Sequence, residues 1–289
     1  MTAEPKKYAT ATAFRRALED RLLRRAKEGG GDVQRLRREV AFDRLLARLF
    51  AAKKAPWVLK GGYAMELRFA GARATKDVDL ALRESLGKGR GDSLNAAIHE
   101  ALIEAASKDL EDFFSFIVAA PVMDLDAAPY GGARFPIEAR MDGRTFVKFQ
   151  LDVGAGDVVL EPLDETVGRD WLDFASIPAP RYPTVSREQQ FAEKIHAYTL
   201  PRERPNTRVK DLVDLFLLLK SGTLDAGRVG PAVRATFERR KTHPLPDDLS
   251  QPPAAWKVPF QTLAAECGLA VDVEAAFALV GDYYRGIRR

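Results

Sequence analysis

Residues 57–83, WVLKGGYAMELRFAGARATKDVDLALR, constrain the fold of this chain more than any other stretch. A short apolar run leads through Gly61 and Gly62 into apolar residues at helical spacing, and the stretch ends in alternating charged and apolar residues. This order predicts a strand, a glycine turn, a helix and a second strand. Successive side chains of a strand point to opposite faces, so Asp77 and Asp79 share one face and their apolar neighbours face a core.

Two carboxylates on one strand face indicate a particular chemistry. They repel each other unless a cation lies nearby, and hard divalent cations such as Mg²⁺ prefer oxygen ligands. The glycine pair lets the backbone approach a phosphate closely, and the amides at a helix N-terminus favour anions. Taken alone, the stretch predicts a metal and phosphate site of unstated purpose.

A third carboxylate is predicted on a later strand. The turn signal of residues 141–144, Met-Asp-Gly-Arg, is typical of a β-hairpin, and residues 145–153 alternate cleanly after it. Asp152 ends the polar face of that strand, which makes it the candidate third ligand. A solvated strand end before the turn at Gly154 is the alternative, and both interpretations stay open at this point.

Composition limits the class of protein. The chain has 289 residues, of which 46% are hydrophobic, enough for one large domain or two of ordinary size. No run approaches the roughly 18–20 apolar residues that a membrane helix needs, and the first residues lack the apolar centre of a signal peptide. With one cysteine, Cys267, no internal disulfide forms. We expect a cytoplasmic protein with no membrane contact.

Charge is unevenly distributed along the chain. Residues 1–60 contain 16 Lys and Arg against 7 Asp and Glu, a balance of +9, whereas the whole chain carries +4. This asymmetry favours an anionic partner such as nucleic acid for the N-terminal part. The alternative is that these residues form solvated faces of amphipathic helices. A basic glycine loop at residues 84–92 could also contact a polyanion, and a plain surface linker is the alternative there.

The order of predicted elements indicates an α+β protein. Residues 1–55 read as basic N-terminal helices packed on the core. Residues 56–183 read as a mixed α/β lobe, largely antiparallel over 112–163 and irregular in the proline-rich and acidic part 164–183. Residues 184–289 read as a helical lobe that completes a cleft, beginning at the capping box of Ser186 and Gln189.

Charged residues interrupt the apolar helices of the last lobe. Lys194 lies in the middle of one helix, and Arg208, Lys210, Asp211 and Asp214 lie in the first two turns of the next. Charge in such a helix needs partners, so a polar seam with Lys194 is expected. An ordinary structural salt-bridge seam is the alternative.

Two blocks of residues carry a resemblance to a known family. The first block is Leu59-Lys60-Gly61-Gly62-Tyr63-Ala64-Met65 followed by Arg73-x-Thr75-x-Asp77-Val78-Asp79-Leu80. The second is Glu193-Lys194 followed by Lys210-Asp211-Leu212-Val213-Asp214-Leu215. In this order and spacing the blocks resemble the AbiEii/AbiGii toxins of type IV toxin–antitoxin systems, which include the MenT toxins. One departure is Tyr63, where a small residue such as Thr is common.

The resemblance implies both a fold and an activity. The implied fold is nucleotidyltransferase-like, a mixed sheet flanked by helices and followed by a C-terminal helical domain. The implied activity is Mg²⁺-dependent transfer of a nucleotide from an NTP to RNA, with the tRNA acceptor end as the expected target and a block of translation as the result. A cognate antitoxin is the implied protein partner.

The resemblance also assigns roles to individual residues. Asp77, Asp79 and Asp152 would hold Mg²⁺, and Asp152 would help to deprotonate the attacking hydroxyl. Lys194 would neutralise phosphate charge, and Asp211 would orient Lys194 or approach the nucleotide. These five are the predicted catalytic residues. The other predicted nucleotide-binding residues are Lys60, Gly61, Gly62, Thr75, Lys76, Arg208 and Lys210, with Lys194 counted in both sets.

Two hypotheses of other classes remain. One is an NTP-dependent nucleotidyl or phosphoryl transferase that acts on a protein or small-molecule acceptor; the basic N-terminus argues against a small molecule. The other is a binding module without catalysis, in which the acidic pair is structural. The presence of Asp77, Asp79, Lys194 and Asp211 in their expected motifs argues against that module.

Overall fold

The computed structural model describes residues 8–29, 31–83, 91–125, 128–202 and 208–288. The predicted basic loop at 84–92 lies outside these ranges except for its last two residues. Most of the loop after Pro201 lies outside them as well.

Helices account for much of the described chain. They are α1 (Ala11–Gly29), α2 (Val33–Leu49), α3 (Gly61–Arg68), α4 (Asp92–Ala106), α5 (Arg187–Thr199), α6 (Val209–Lys220), α7 (Ala226–Arg240), α8 (Lys257–Glu266) and α9 (Val273–Arg288). Side chains cap two of the helices, and of the predicted capping box of Ser186 and Gln189 only the Ser186 half forms, because the Gln189 side chain bonds to Leu160 N and Val158 O. The Asp32 side chain accepts a hydrogen bond from Gln34 N at the start of α2, and the Ser186 side chain accepts one from Gln189 N at the start of α5.

The strands form one mixed sheet. They are β1 (Trp57–Lys60), β2 (Asp77–Leu82), β3 (Phe114–Val118), β4 (Met123–Asp124), β5 (Gly132–Met141), β6 (Arg144–Gly154), β7 (Asp164–Val167) and β8 (Arg181–Thr184). The strand order is β3-β5-β6-β2-β1-β8-β7, and β4 also pairs with β5. Strand β2 runs parallel to β6, whereas β5 is antiparallel to β3, β4 and β6. The predicted α+β class with a mixed sheet and helices is confirmed.

The segment 164–183, predicted to be irregular, is the clearest error in the fold prediction. It contains β7 and most of β8, which occupy one end of the strand order. Each strand has four residues, too few for a period of two to stand out from the surrounding prolines. Pro183 itself lies inside β8.

The chain divides into two compact units that alternate along the sequence. The first, here called the strand unit, comprises Met1–Leu59, Ala74–Gly156 and Glu165–Pro183. The second, here called the helical unit, comprises Lys60–Arg73, Asp157–Asp164 and Thr184–Arg289. The contiguous division predicted at residues 1–55, 56–183 and 184–289 stays a prediction.

In the strand unit, helix α2 packs on the sheet. The Phe42 ring of α2 lies 4.8 Å from the Phe149 ring of β6. Two arginines of the same helix point inward: Arg44 Nε and Arg48 Nη2 each lie 2.6 Å from a carboxylate oxygen of the fully buried Asp112. Part of the N-terminal positive charge is therefore buried and paired, so these two arginines belong to neither a solvated face nor a nucleic-acid surface.

The helical unit has its own apolar core. Side chains of α3, α5, α6, α7, α8 and α9 contribute to it, among them Met65, Phe191, Leu212, Phe260 and Tyr284, all at most 1% exposed. Burial of such side chains stabilises a domain by about 1.5–3 kcal/mol each. No helix within the described ranges combines the length and the apolar character needed to cross a membrane.

Candidate active site

The three predicted metal ligands lie on two neighbouring strands. Asp77 and Asp79 alternate with the fully buried Val78 and Leu80 on β2, as the sequence predicts. In the parallel pairing of β2 with β6, Asp79 is the register partner of Asp152. Register partners point to the same face of a sheet, so the three carboxylates share one face of two neighbouring strands.

Arg134 also belongs to this group, although the sequence analysis did not select it. Arg134 on β5 lies opposite Asp152. Its Nε and Nη2 donate to the two carboxylate oxygens of Asp152, both at 2.7 Å, and Nη2 lies 3.8 Å from Asp77 Oδ2. The hydrogen bond to Asp152 raises the pKa of Arg134, against the opposing effect of partial burial. We call Asp77, Asp79, Asp152 and Arg134 the strand cluster.

A β-bulge produces the pairing of Arg134 with Asp152. The hairpin turn has positive φ at Asp142 (55°) and Gly143 (68°), as a two-residue type I′ turn requires. If the strand pairing that begins at this turn continued without a shift, Arg134 would lie opposite Leu151. An irregularity at Ala139/Arg140 shifts the register by one residue. This shift is why turn chemistry alone gives no signal for Arg134.

Thr75 and Lys76 precede the strand cluster directly. Thr75 is buried, and its Oγ1 donates a hydrogen bond of 2.8 Å to Asp77 Oδ1. Lys76 is exposed. Thr75 therefore orients a carboxylate, while the predicted nucleotide contact of Lys76 stays a prediction.

The glycine turn is locked by a glutamine of α5. Gly61 has φ +69°, a left-handed conformation that favours glycine, and α3 begins at this residue. Gln190 Nε2 donates to Gly61 O at 2.8 Å, and Arg68 Nη1 donates to Gln190 Oε1 at 2.6 Å. Gly62 is buried beside it. Tyr63, which differs from the small residue common in the resembling family, is fully buried.

Lys60, at the end of β1, is held in an ion-pair cluster of the helical unit. Its Nζ lies 2.6 Å from Asp157 Oδ2 and 3.8 Å from Glu193 Oε2, and Arg240 Nε lies 2.9 Å from the other oxygen of Asp157. Burial acts to lower the pKa of Lys60, but Asp157 and Glu193 outweigh it and the pKa rises. A nucleotide contact by Lys60, which stays a prediction, would require this pair to open.

Lys194 and Asp211 meet, as the predicted polar seam requires. Lys194 Nζ lies 2.9 Å from Asp211 Oδ1 and 2.7 Å from Asp214 Oδ2. Arg73 Nε and Nη2 hold the two oxygens of Asp214 at 3.1 and 3.0 Å. Both aspartates are buried, at 1% and 0% exposure. We call Lys194, Asp211, Asp214 and Arg73 the helical cluster.

Charges within the helical cluster shift one another's pKa values. Burial acts to lower the pKa of Lys194, but Asp211 and Asp214 outweigh it and the pKa rises. Burial acts to raise the pKa of Asp214, but Lys194 and Arg73 outweigh it and the pKa falls. Lys194 and Asp214 therefore stay charged near neutral pH.

The remaining two predicted residues, Arg208 and Lys210, lie at the start of helix α6. Arg208 Nη1 lies 3.6 Å from Asp211 Oδ2, at the edge of ion-pair distance. Lys210 is exposed. Of the predicted residues, Asp77, Asp79, Asp152, Thr75 and Lys76 thus belong to the strand unit, and Lys60, Gly61, Gly62, Lys194, Arg208, Lys210 and Asp211 belong to the helical unit.

This chain is similar to known proteins in sequence and in fold. A sequence model of the family described as nucleotidyl transferase AbiEii toxin, type IV toxin–antitoxin system, matches residues 44–278. No curated protein sequence matches the chain. The solved structure of MenT4, nucleotidyltransferase toxin Rv2826c from Mycobacterium tuberculosis H37Rv, is similar over 95% of this chain and 96% of that chain, with 18% identity and a TM-score of 0.55. JHP933 from Helicobacter pylori is similar over 89% and 92%, with 15% identity and a TM-score of 0.46.

Proposed function

This chain belongs to the AbiEii family of nucleotidyl transferase toxins of type IV toxin–antitoxin systems, and from that premise we propose that it transfers nucleotides from an NTP to the acceptor end of tRNA. A tRNA altered at that end no longer accepts its amino acid, so translation stops. The observation that carries the proposal is the register of β2 on β6, in which Asp79 is paired with Asp152 and Asp77 shares their face.

The donor set of the strand cluster fits Mg²⁺. Asp77, Asp79 and Asp152 share one face of the sheet, and carboxylate oxygens are the ligands that Mg²⁺ prefers. As it stands, no group of three or more His, Cys, Asp or Glu in the described ranges is gathered for a metal ion; both oxygens of Asp152 accept hydrogen bonds from Arg134. Mg²⁺ bound by Asp77, Asp79 and Asp152 would offset the charge of the triphosphate.

The chain's own residues then carry the proposed transfer. The terminal hydroxyl oxygen of the RNA forms a bond to the α-phosphorus of the NTP, and the bond from that phosphorus to the pyrophosphate oxygen breaks. Asp152 accepts the hydroxyl proton, and pyrophosphate leaves with the bonding electrons. Thr75, which donates to Asp77, keeps that carboxylate in one orientation during the step.

Residues of the helical unit are assigned to the nucleotide. Lys194 neutralises phosphate charge, and Asp211 fixes the position of its ammonium group through their 2.9 Å contact. The further proposed nucleotide contacts are Lys60, Gly61, Gly62, Lys76, Arg208 and Lys210. A cognate antitoxin and a cytoplasmic location, where NTPs and tRNA are found, complete the proposal.

Separate acceptor pools test the proposed acceptor. Purified protein is incubated with Mg²⁺ and each α-labelled NTP in turn, together with tRNA, other RNA, a protein extract or small metabolites. We expect label on tRNA, and its loss in Asp79→Ala. Glu100→Ala, which removes an exposed carboxylate of α4, should leave labelling unchanged. Label on protein or metabolites with none on RNA would favour a transferase for another acceptor.

A further inference from the structure

Arg134 occupies the carboxylate that the proposed metal would need. Its bidentate contact uses both oxygens of Asp152 at 2.7 Å, and the same guanidinium lies 3.8 Å from Asp77. Each oxygen of Asp152 keeps a second lone pair, so a divalent cation would bind this aspartate directly beside the guanidinium of Arg134. The two positive charges would repel each other, and the repulsion favours a guanidinium displaced from Asp152.

A second cross-strand ion pair on the same strands shows what is unusual here. Lys148 on β6 is the register partner of Glu138 on β5, just as Asp152 is the partner of Arg134. Lys148 Nζ lies 3.3 Å from Glu138 Oε2, and the lysine side chain is 69% exposed. This is an ordinary surface pair with a single contact. The ion pair of Arg134 with Asp152 has shorter contacts, two hydrogen bonds instead of one, and less exposed side chains. Its carboxylate belongs to the strand cluster.

An anion would relieve the displaced guanidinium. Arginine presents several N–H donors in a planar fork that matches phosphate oxygens, and its charge persists at any physiological pH. Arg134 is 31% exposed, so it can reach a ligand in solvent while it stays on its strand. A triphosphate that arrives with the cation supplies such an anion, whereas a cation alone does not.

We propose that Arg134 is a positioning residue that takes the place of the divalent cation in the nucleotide-free enzyme and makes tight cation binding depend on the triphosphate. The inference rests on the proposed function, because it takes Asp152 as a metal ligand. The proposal is a coupling between two ligands. Each strengthens the binding of the other, because the cation repels Arg134 from Asp152 and the triphosphate offers the displaced guanidinium a partner.

Direct titration with Mn²⁺ measures this coupling without turnover. Mn²⁺ affinity is determined by calorimetry or electron paramagnetic resonance, alone and with a non-transferable α,β-methylene NTP analogue. In the unaltered protein we expect the analogue to strengthen Mn²⁺ binding by about fivefold or more. In Arg134→Gln, Mn²⁺ alone should bind about fivefold more tightly, and the analogue should add little.

Matched variants separate this role from a purely structural one. Lys148→Gln removes a positive charge from the comparable pair on the same strands. Its Mn²⁺ affinity, alone and with the analogue, should equal that of the unaltered protein. Arg134→Lys keeps the positive charge but loses the planar guanidinium. Its Mn²⁺ affinity, and the strengthening of that affinity by the analogue, should be intermediate. This variant replaces Arg134→Gln in the test if Arg134→Gln does not fold. Mn²⁺ affinity and coupling that are unchanged in the Arg134 variants would overturn the inference.

The proposed metal site itself is tested by a separate variant. Asp79→Ala should lose Mn²⁺ binding while Arg134 stays paired with Asp152. If Asp79→Ala binds Mn²⁺ as tightly as the unaltered protein, the proposed metal site is wrong, whatever Arg134 does. If Asp79→Ala loses the metal but the Arg134 variants show no change, the metal site stands and the role of Arg134 fails.

Discussion

The strand cluster and the helical cluster use the same residue types in opposite ways. In the strand cluster, Arg134 contacts Asp152 and Asp77, and the Asp77 side chain is 39% exposed. In the helical cluster, Asp211 and Asp214 contact Lys194, Asp214 also contacts Arg73, and the aspartate side chains are 2% and 0% exposed. Carboxylates open to solvent can bind an external cation, whereas a carboxylate that is removed from solvent and paired with two cations stabilises the fold. The comparison predicts that substitutions of Asp79 and of Asp214 affect different properties.

The largest effect is expected on activity, from the strand cluster. Asp79→Ala should lower nucleotidyl transfer on the order of 10³-fold, because a charge-stabilising group of the transition state is lost. Its free energy of unfolding should change less than that of Asp214→Ala, because Asp79 is only half-buried whereas Asp214 is fully buried. Labelled NTP transfer and chemical denaturation measure the two quantities. Growth inhibition that persists unchanged on expression of Asp79→Ala would end the case for catalysis at this cluster.

The second effect is expected on stability, from the helical cluster. Asp214→Ala removes, from a buried site, the carboxylate that both Lys194 and Arg73 contact. Removal of one partner of a buried ion pair costs about 3–5 kcal/mol, so the urea midpoint should fall steeply. Asp282→Ala removes an exposed partner of Arg285 on α9 and should change the free energy of unfolding by less than about 1 kcal/mol. If Asp214→Ala and Asp282→Ala lose equal amounts of unfolding free energy, the helical cluster is no more important for stability than a surface pair.

A smaller effect tests geometry within the helical cluster. Arg73→Lys keeps the positive charge beside Asp214 but loses the two parallel contacts at 3.1 and 3.0 Å. We expect a loss of about 1–2 kcal/mol in the free energy of unfolding, because lysine does not reproduce the guanidinium fork. If Arg73→Lys is as stable as the unaltered protein, charge alone suffices at this position.

A pH-dependent effect is expected from a histidine of the helical unit. Burial lowers the pKa of His196 to about 3, helped by the positive charge of Arg240 and by His243. The unfolded value lies near 6.5, so the neutral His196 contributes stability that is complete above pH about 6.5 and is lost as pH falls towards about 3.

Denaturation at several pH values measures this contribution. The unaltered protein should lose up to about 1.4 kcal/mol per pH unit through His196 in that window. His196→Gln should lose less over the same window, since the titrating group is gone and a polar side chain remains near Arg240 and Thr242. Equal pH slopes for the two proteins would show that His196 titrates normally in the folded state.

Much of the strand cluster was predictable from the sequence. A period of two, with apolar residues between the acids, is enough to place Asp77 and Asp79 on one face of β2. The same pattern identifies Asp152 at the end of β6. That Asp79 and Asp152 are register partners depends on the parallel pairing of strands about seventy residues apart in the chain, and no local pattern encodes such a pairing.

Arg134 and the helical cluster show where sequence reasoning stops. The bulge at Ala139/Arg140 changes which residue Arg134 faces, and nothing in the turn signal announces it. Lys194 and Asp211 could be grouped because their helices are amphipathic and their charges needed partners. Arg73 gave no such signal, because it lies in the connection after α3, where any charged residue reads as solvated.

Extension of tRNA with each labelled NTP, tested separately, examines the central claim most directly. The reaction contains purified protein, Mg²⁺, tRNA and one α-labelled NTP, with Asp79→Ala and Glu100→Ala run in parallel. The account predicts that at least one NTP gives tRNA that is lengthened and labelled at its acceptor end, with the unaltered protein and Glu100→Ala and not with Asp79→Ala. Lengthening that survives in Asp79→Ala, or its absence with every NTP, would contradict the account.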